Sequence, residues 1–212
     1  MTQYKGVIFD LDGTLADSMN IWEKIDVDFL AKRGIDVPDD YMHAIAHLGS
    51  YETATYTIKR FSLSDTPEEL ISEWVEMAAE AYKEVPLKPG AFEFLKHLRE
   101  NNIKICIATA TELSLVKIFL KSKNIIGYID HIVTLSDVGK PKEFPDIYNK
   151  CSELMELSAD ECVVFEDLYM AVQGAKSGGY YVVGVYDYHS RKDKEAIQNL
   201  CNKFIYDFKE ML

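Results

Sequence analysis

The sequence predicts an α/β protein in which a doubly wound parallel sheet is interrupted, after its first strand, by an inserted block of helices. Two observations predict it. Five short, almost continuously apolar runs alternate with amphipathic stretches of helical period, the pattern of strands covered on both faces and linked by crossover helices. One long segment departs from the alternation and holds helical patterns alone. The expected division is a core of residues 1–15 and 88–212, with a smaller all-helical domain of residues 16–87.

The first strand is "YKGVIF" (4–9). Four helices are expected next: 18–33, stopped at Gly34; 38–47, stopped near Gly49; 51–61; and 67–84. The last has the clearest start, "SDTPEEL", with Asp65 or Thr66 as cap, Pro67 in the first turn, and Glu68 and Glu69 at the positive helix end. Alternation then resumes with helix "AFEFLKHLREN" (91–101), strand "IKICIAT" (103–109), helix "SLVKIFLKS" (114–122) and strand "HIVTL" (131–135). It continues through helix "PDIYNKCSELMEL" (145–157), strand "CVVFE" (162–166), helix "MAVQGAKSG" (170–178) and strand "YYVVGV" (180–185). Strand, helix and strand in that succession imply right-handed crossovers.

Composition narrows the function classes. Hydrophobic residues make up 48% of the 212, enough for a sizeable core. The formal charge is -12, from 23 basic and 35 acidic residues. Nucleic acid and anionic membrane surfaces need a cationic footprint, so neither is expected as a partner. Cys106, Cys151, Cys162 and Cys201 form no Cys-x-x-Cys pair, and two of them sit in apolar runs, as in a reduced, cytoplasmic protein. No signal peptide is expected, since the first five residues are polar and Asp10 interrupts the first apolar run. No segment approaches the about 18 apolar residues of a membrane span.

Ligands of an open parallel sheet collect at the carboxyl ends of its strands. The first strand delivers Asp10 and Asp12, followed by Gly13; the second ends in Thr109 and Ala110; after the third comes "SDVGKPKEFPDIY" with Lys140 and Lys142; the fourth ends in Glu166 and Asp167. Acids crowded at one edge are tolerable around a divalent cation, and an oxygen donor set suits magnesium. An Asp-Gly turn alone would explain Asp12 and Gly13, but not the other strand ends. A calcium loop fails, because counting from Asp10 puts Leu15 at the glycine position and Ile21 at the terminal glutamate. His43 and His47 have metal-ligand spacing but no acidic partner in the zincin manner. The aromatic residues of the insertion, Trp22, Phe29, Tyr56, Phe61, Trp74 and Tyr82, are expected mostly in its core, one or two of them lining a substrate pocket.

In order along the chain, "DLDGT", Thr109, "KEFPDIY" and "FED" resemble the four motifs of the haloacid dehalogenase superfamily. An all-helical insertion directly after the first motif is similar to the cap of its phosphoglycolate phosphatase and β-phosphoglucomutase branch. The resemblance implies a Rossmann-like core under a helical cap, and a hydrolase that removes phosphate through an aspartyl-phosphate. It makes Asp10 the nucleophile and Asp12 the general acid and base. Thr109, the Ala110 amide and a lysine would hold the phosphate, and Asp10, the Asp12 carbonyl and Asp167 would hold magnesium, with Glu166 in or just behind that set.

Two points stay open within the resemblance. The phosphate-binding lysine is Lys140 if the preceding glycine anchors the alignment and Lys142 if "PDIY" does; the helix start is the firmer anchor and favours Lys142. In the insertion, "HLGSYETA" offers Gly49 and Ser50 as candidate substrate contacts, but Glu52 stands where the mutase pattern has a phosphate-gripping arginine. A carboxylate there repels a second phosphate, so a phosphatase acting on a small phosphorylated metabolite, such as a sugar phosphate, is favoured over a β-phosphoglucomutase-type mutase or an idle binding protein. A chain with its own lid needs no second subunit over the site, so a monomer is expected.

Overall fold

The computed structural model describes residues 4–46 and 48–212, so His47 lies outside the described residues. Its centre is a parallel sheet of β1 (Gly6–Phe9), β2 (Lys104–Thr109), β3 (His131–Thr134), β4 (Cys162–Glu166), β5 (Tyr181–Val185) and β6 (Lys203–Ile205). The strands lie in the order β3-β2-β1-β4-β5-β6 with every neighbour parallel. The chain winds outward from β1 in one direction and then returns to start again at β4. The order therefore reverses between β1 and β4, the place where doubly wound sheets bind ligands.

The pleat sorts the strands' side chains into two layers. Val7, Phe9, Ile105, Ile107, Val163, Phe165, Val183 and Val185 face one apolar layer, while Ile8, Cys106, Ala108, Cys162, Val164 and Val182 face the other. The first layer is closed by α5 (Ala91–Glu100) and α6 (Leu113–Ser122). Phe9 stacks on Phe165 with centroids 5.0 Å apart, and Phe94 stacks on Phe208 at 5.6 Å. The second layer is closed by α8 (Asp146–Leu154) and α9 (Tyr169–Ser177), through Tyr148, Cys151, Val172 and Ala175. All four cysteines are free thiols.

Between β1 and α5 the described residues form four helices, α1 (Met19–Ala31), α2 (Tyr41–Ile45), α3 (Ser50–Phe61) and α4 (Pro67–Glu84). The α4 start is a full capping box: the Glu69 amide donates to Thr66 Oγ1 at 3.3 Å and the Thr66 amide to the Glu69 carboxylate at 2.8 Å. Phe29 of α1 meets Trp74 of α4 edge-on at 5.4 Å. The two chain passages between sheet and inserted helices run side by side, Asp17 N–H donating to the Pro86 carbonyl at 3.0 Å and Lys88 N–H to the Leu15 carbonyl at 2.9 Å.

Several elements lie outside the sequence expectation, among them one strand and two α-helices. The sheet gains β6, which is only three residues long and too short to show a period. Leu135 leaves the third strand for a short helix, α7 (Leu135–Val138), because Asp137 accepts hydrogen bonds from the Thr134 amide and hydroxyl at 2.7 and 2.9 Å. A further helix, α10 (Lys194–Leu200), precedes β6. Among the described residues, no helix is long and apolar enough to cross a membrane.

Candidate active site

At the β1–β4 boundary the ladder extends one residue past β1, the Asp10 amide donating to the Phe165 carbonyl at 3.0 Å. Asp10 therefore stands beside Glu166, the last residue of β4, and Asp167, the next one. Carboxylate oxygens of these three buried residues lie within 4.8 Å of one another. The Lys142 ammonium, 3% exposed, touches Asp10 Oδ1 and lies 2.6 Å from Glu166 Oε1. Tyr148 donates its hydroxyl to the same Glu166 oxygen at 2.9 Å, and Thr14 donates to Asp167 Oδ1 at 3.2 Å. Glu166 Oε2 is buried with no partner among the described residues.

The turn after β1 makes this crowding possible. Leu15 and Ala16 both donate their amides to the Leu11 carbonyl, at 2.9 and 2.8 Å, which curls the chain back over the strand end. Gly13 sits in the curl with φ +87°, and a Cβ there would fall 2.5 Å from Asp167 Oδ2. Only glycine meets both demands.

Electrostatics give the cluster its chemical meaning. Three carboxylates and one ammonium leave two negative charges in a buried site if all are ionised, an arrangement that is strongly unfavourable without compensation. Burial, opposed by Lys142 and reinforced by Glu166 and Asp12, pushes Asp10 up to about 8. Burial and then the Asp10 and Glu166 charges push Asp167 well above the usual carboxylate range. Lys142 is held above its ordinary value by Asp10 and Glu166, against the opposing effect of burial, and stays charged. A divalent cation would balance the two remaining charges, and hard carboxylate oxygens, one of them without a partner among the described residues, are the donors that magnesium prefers. The residues present fit that group.

The Asp12 carboxylate is engaged elsewhere. Its Oδ1 accepts from the Ser18 hydroxyl at 2.5 Å, from Trp22 Nε1 at 3.2 Å and from the Tyr82 hydroxyl, while Oδ2 accepts from the Thr111 hydroxyl at 2.5 Å. Thr109 is buried at the β2 end, where its Oγ1 accepts the Thr111 amide at 3.0 Å. The Ala110 carbonyl accepts from Ser50 Oγ at 3.4 Å. Gly49, just before α3, lies against Leu135 and Glu52: a Cβ on it would come within 3.3 Å of Leu135 Cβ and 2.7 Å of a Glu52 carboxylate oxygen. Lys140 is half-exposed and pairs with Asp146 at 2.7 Å, so Lys142 alone of the two meets the acids. The insertion's two arginines are committed to ion pairs, Arg33 with Asp65 and Glu73, and Arg60 with Asp40.

Thr14, Ser18, Thr111 and Tyr148 were not singled out in advance. All four carry a local signal: Thr14 and Ser18 are hydroxyls two and six residues after Asp12, Thr111 lies two residues after Thr109, and Tyr148 ends the "PDIY" stretch. Trp22 and Tyr82 are 60 positions apart and meet Asp12 only through the fold.

A sequence profile of the haloacid dehalogenase-like hydrolases matches residues 7–185. The (DL)-glycerol-3-phosphatase 1 of Arabidopsis thaliana is 29% identical over 196 residues, 89% of this chain and 65% of that protein. Hexitol phosphatase A of Escherichia coli is 27% identical over 184 residues, covering 85% of this chain and 82% of the relative. The crystal structure of a β-phosphoglucomutase from Clostridium difficile superposes with a TM-score of 0.83 at 18% identity, over 99% of this chain and 93% of that one.

Proposed function

The chain belongs to the haloacid dehalogenase-like hydrolases, and we propose that within that family it is a magnesium-dependent phosphatase of small sugar or polyol phosphates, working through an aspartyl-phosphate on Asp10. The observation that carries the reading is the buried group of Asp10, Glu166 and Asp167 around Lys142. Relatives named for glycerol phosphate and hexitol phosphate support the substrate class. Magnesium, held by Asp10, Asp167 and the Asp12 carbonyl with Glu166 behind them, would keep Asp10 ionised and neutralise phosphate charge.

An Asp10 carboxylate oxygen attacks phosphorus, forming the Asp10–phosphate bond as the bond to the leaving oxygen breaks. Asp12 gives its proton to that oxygen, so the product departs as a neutral alcohol. In the second half Asp12 takes a proton from water, whose oxygen attacks phosphorus and frees Asp10. Lys142, Thr109 and the Ala110 amide hold the phosphate oxygens, where charge grows in both transition states. The inserted helices, 16–87, act as the cap: docked, they exclude bulk water while the aspartyl-phosphate forms. The site is built from one chain, which fits a monomer. With Arg33 and Arg60 already paired and Glu52 beside Gly49, hydrolysis is favoured over mutase chemistry.

A panel of sugar, glycerol and hexitol phosphates, with p-nitrophenyl phosphate, tests this by phosphate release with magnesium and with EDTA. Magnesium-dependent release from at least one alkyl ester is expected. Absence of release from every ester overturns the phosphatase reading, and conversion of β-glucose 1-phosphate to glucose 6-phosphate without release installs the mutase in its place.

A further inference from the structure

Asp12 must receive and return a proton, yet the structure fills its carboxylate with donors. Two of them, Trp22 Nε1 and the Tyr82 hydroxyl, come from inserted helices α1 and α4. They also bind each other: Trp22 Nε1 donates to the Tyr82 oxygen at 2.7 Å and the rings meet edge-on, centroids 5.7 Å apart. Tyr82 is fully buried, so its hydroxyl has no water to turn to and its orientation is set by this contact. Ser18 and Thr111 hold Asp12 from the chain passage and from the β2 side. Three donors on Oδ1 and one on Oδ2 leave the carboxylate little rotational freedom.

We propose that Tyr82 and Trp22 are positioning residues for the leaving-group step, fixing the Asp12 carboxylate from the insertion so that its oxygen faces the ester being cleaved. The proposal rests on the phosphatase reading and deepens it. Neither side chain is required to touch phosphate. Their effect passes through Asp12, and therefore scales with how much the reaction needs a proton. An alkyl ester such as glycerol 3-phosphate leaves as a strongly basic oxygen and depends on the acid; p-nitrophenyl phosphate leaves as a stabilised phenolate and depends on it little. A positioned acid contributes roughly 10²–10⁴-fold, and a mis-set one forfeits part of that.

The experiment compares kcat/KM, which reports the steps through formation of the aspartyl-phosphate and departure of the alcohol, on glycerol 3-phosphate and p-nitrophenyl phosphate for the full chain with magnesium, for Tyr82→Phe and for Trp22→Phe, each in the parent and in Asp12→Asn. Tyr82→Phe removes one oxygen and Trp22→Phe one N–H donor with part of a ring; if either variant fails to fold, the other decides. Each is expected to lower kcat/KM on glycerol 3-phosphate by about tenfold or more, to lower it several-fold less on p-nitrophenyl phosphate, and to add nothing once Asp12 is Asn. Equal losses on both substrates, or losses that persist undiminished in Asp12→Asn, overturn the proposal while leaving the phosphatase reading intact. A parent that hydrolyses neither these esters nor any of the wider panel overturns the reading, and the proposal with it.

Discussion

Asp26 offers a test of the inserted helices that does not depend on activity. It lies on α1, only 7% exposed, beside Tyr41, whose hydroxyl is shared with Thr57 Oγ1 at 2.7 Å. No hydrogen bond or ion pair from a described residue reaches it, and burial alone pushes the carboxyl from 3.8 to about 7. The folded-state value lies above the unfolded one, so the folded chain retains a proton that the unfolded chain releases. Stability from this group is complete below about pH 4 and is lost as pH rises through 7. About three pH units at about 1.4 kcal/mol each give a total of roughly 4 kcal/mol, most of it, roughly 2–3 kcal/mol, between pH 5 and 8. Asp26→Asn keeps the shape and removes the titration, so its stability relative to the parent should rise by that amount over the same span. For a chain of this size the change is about 5–10 °C in Tm. The assay is thermal or urea unfolding of parent and variant at pH 5 and pH 8, in EDTA so that cation binding does not contribute. A parent–variant difference that stays the same at both pH values would refute the burial of an unpartnered carboxyl at this position.

The other expectations concern the sheet edge. Lys142→Ala should lower turnover by about two orders of magnitude or more, the scale of losing one charge contact in the transition state, while Lys140→Ala stays within a few-fold (about) of the parent, since Lys140 only pairs with Asp146 at the surface; steady-state kinetics on one ester checks both. In α9, a Cβ on Gly174 would lie 2.0 Å from the Lys142 carbonyl oxygen, so Gly174→Ala should destabilise by about 1–3 kcal/mol and slow turnover. Helix propensity alone predicts a gain of about 1 kcal/mol, so the sign of the urea-midpoint shift decides between them. Magnesium should raise the Tm of the parent by mass action, and Asp167→Ala should abolish that rise; an undiminished rise in the variant would remove Asp167 from the cation site.

Periodic features were legible in the sequence because burial on both faces leaves a one-dimensional trace. All five expected strands stand in the sheet, and the capping box at Thr66 was spelled out locally. The same holds for the approach of Asp10, Thr109, Glu166 and Asp167, since parallel strands bring their carboxyl ends to one edge whatever their order. Lys142 could be separated from Lys140 by its spacing to the α8 start. Strand β6 left no trace, because three residues at a sheet edge are shorter than any period. The partners of Asp12 were hidden for a different reason. Trp22 and Tyr82 read as insertion core, and Tyr82 is fully buried; their polar atoms meet the carboxylate only when α1 and α4 dock on the sheet edge. The buried, unpartnered state of Asp26 was equally invisible, since an acid within an amphipathic helix normally reads as surface.

The most direct test of the account is to find the phosphoryl group on the enzyme. Asp12→Asn protein should still form the aspartyl-phosphate from p-nitrophenyl phosphate but hydrolyse it slowly, because the base that activates water is gone. Acid quench after mixing with magnesium and p-nitrophenyl phosphate, followed by peptide mass mapping, should locate one phosphoryl group on Asp10, absent in EDTA and in the Asp10→Asn, Asp12→Asn double variant. A phosphoryl group on another residue, or phosphate release by the parent with no phosphorylated peptide in either protein, would contradict it.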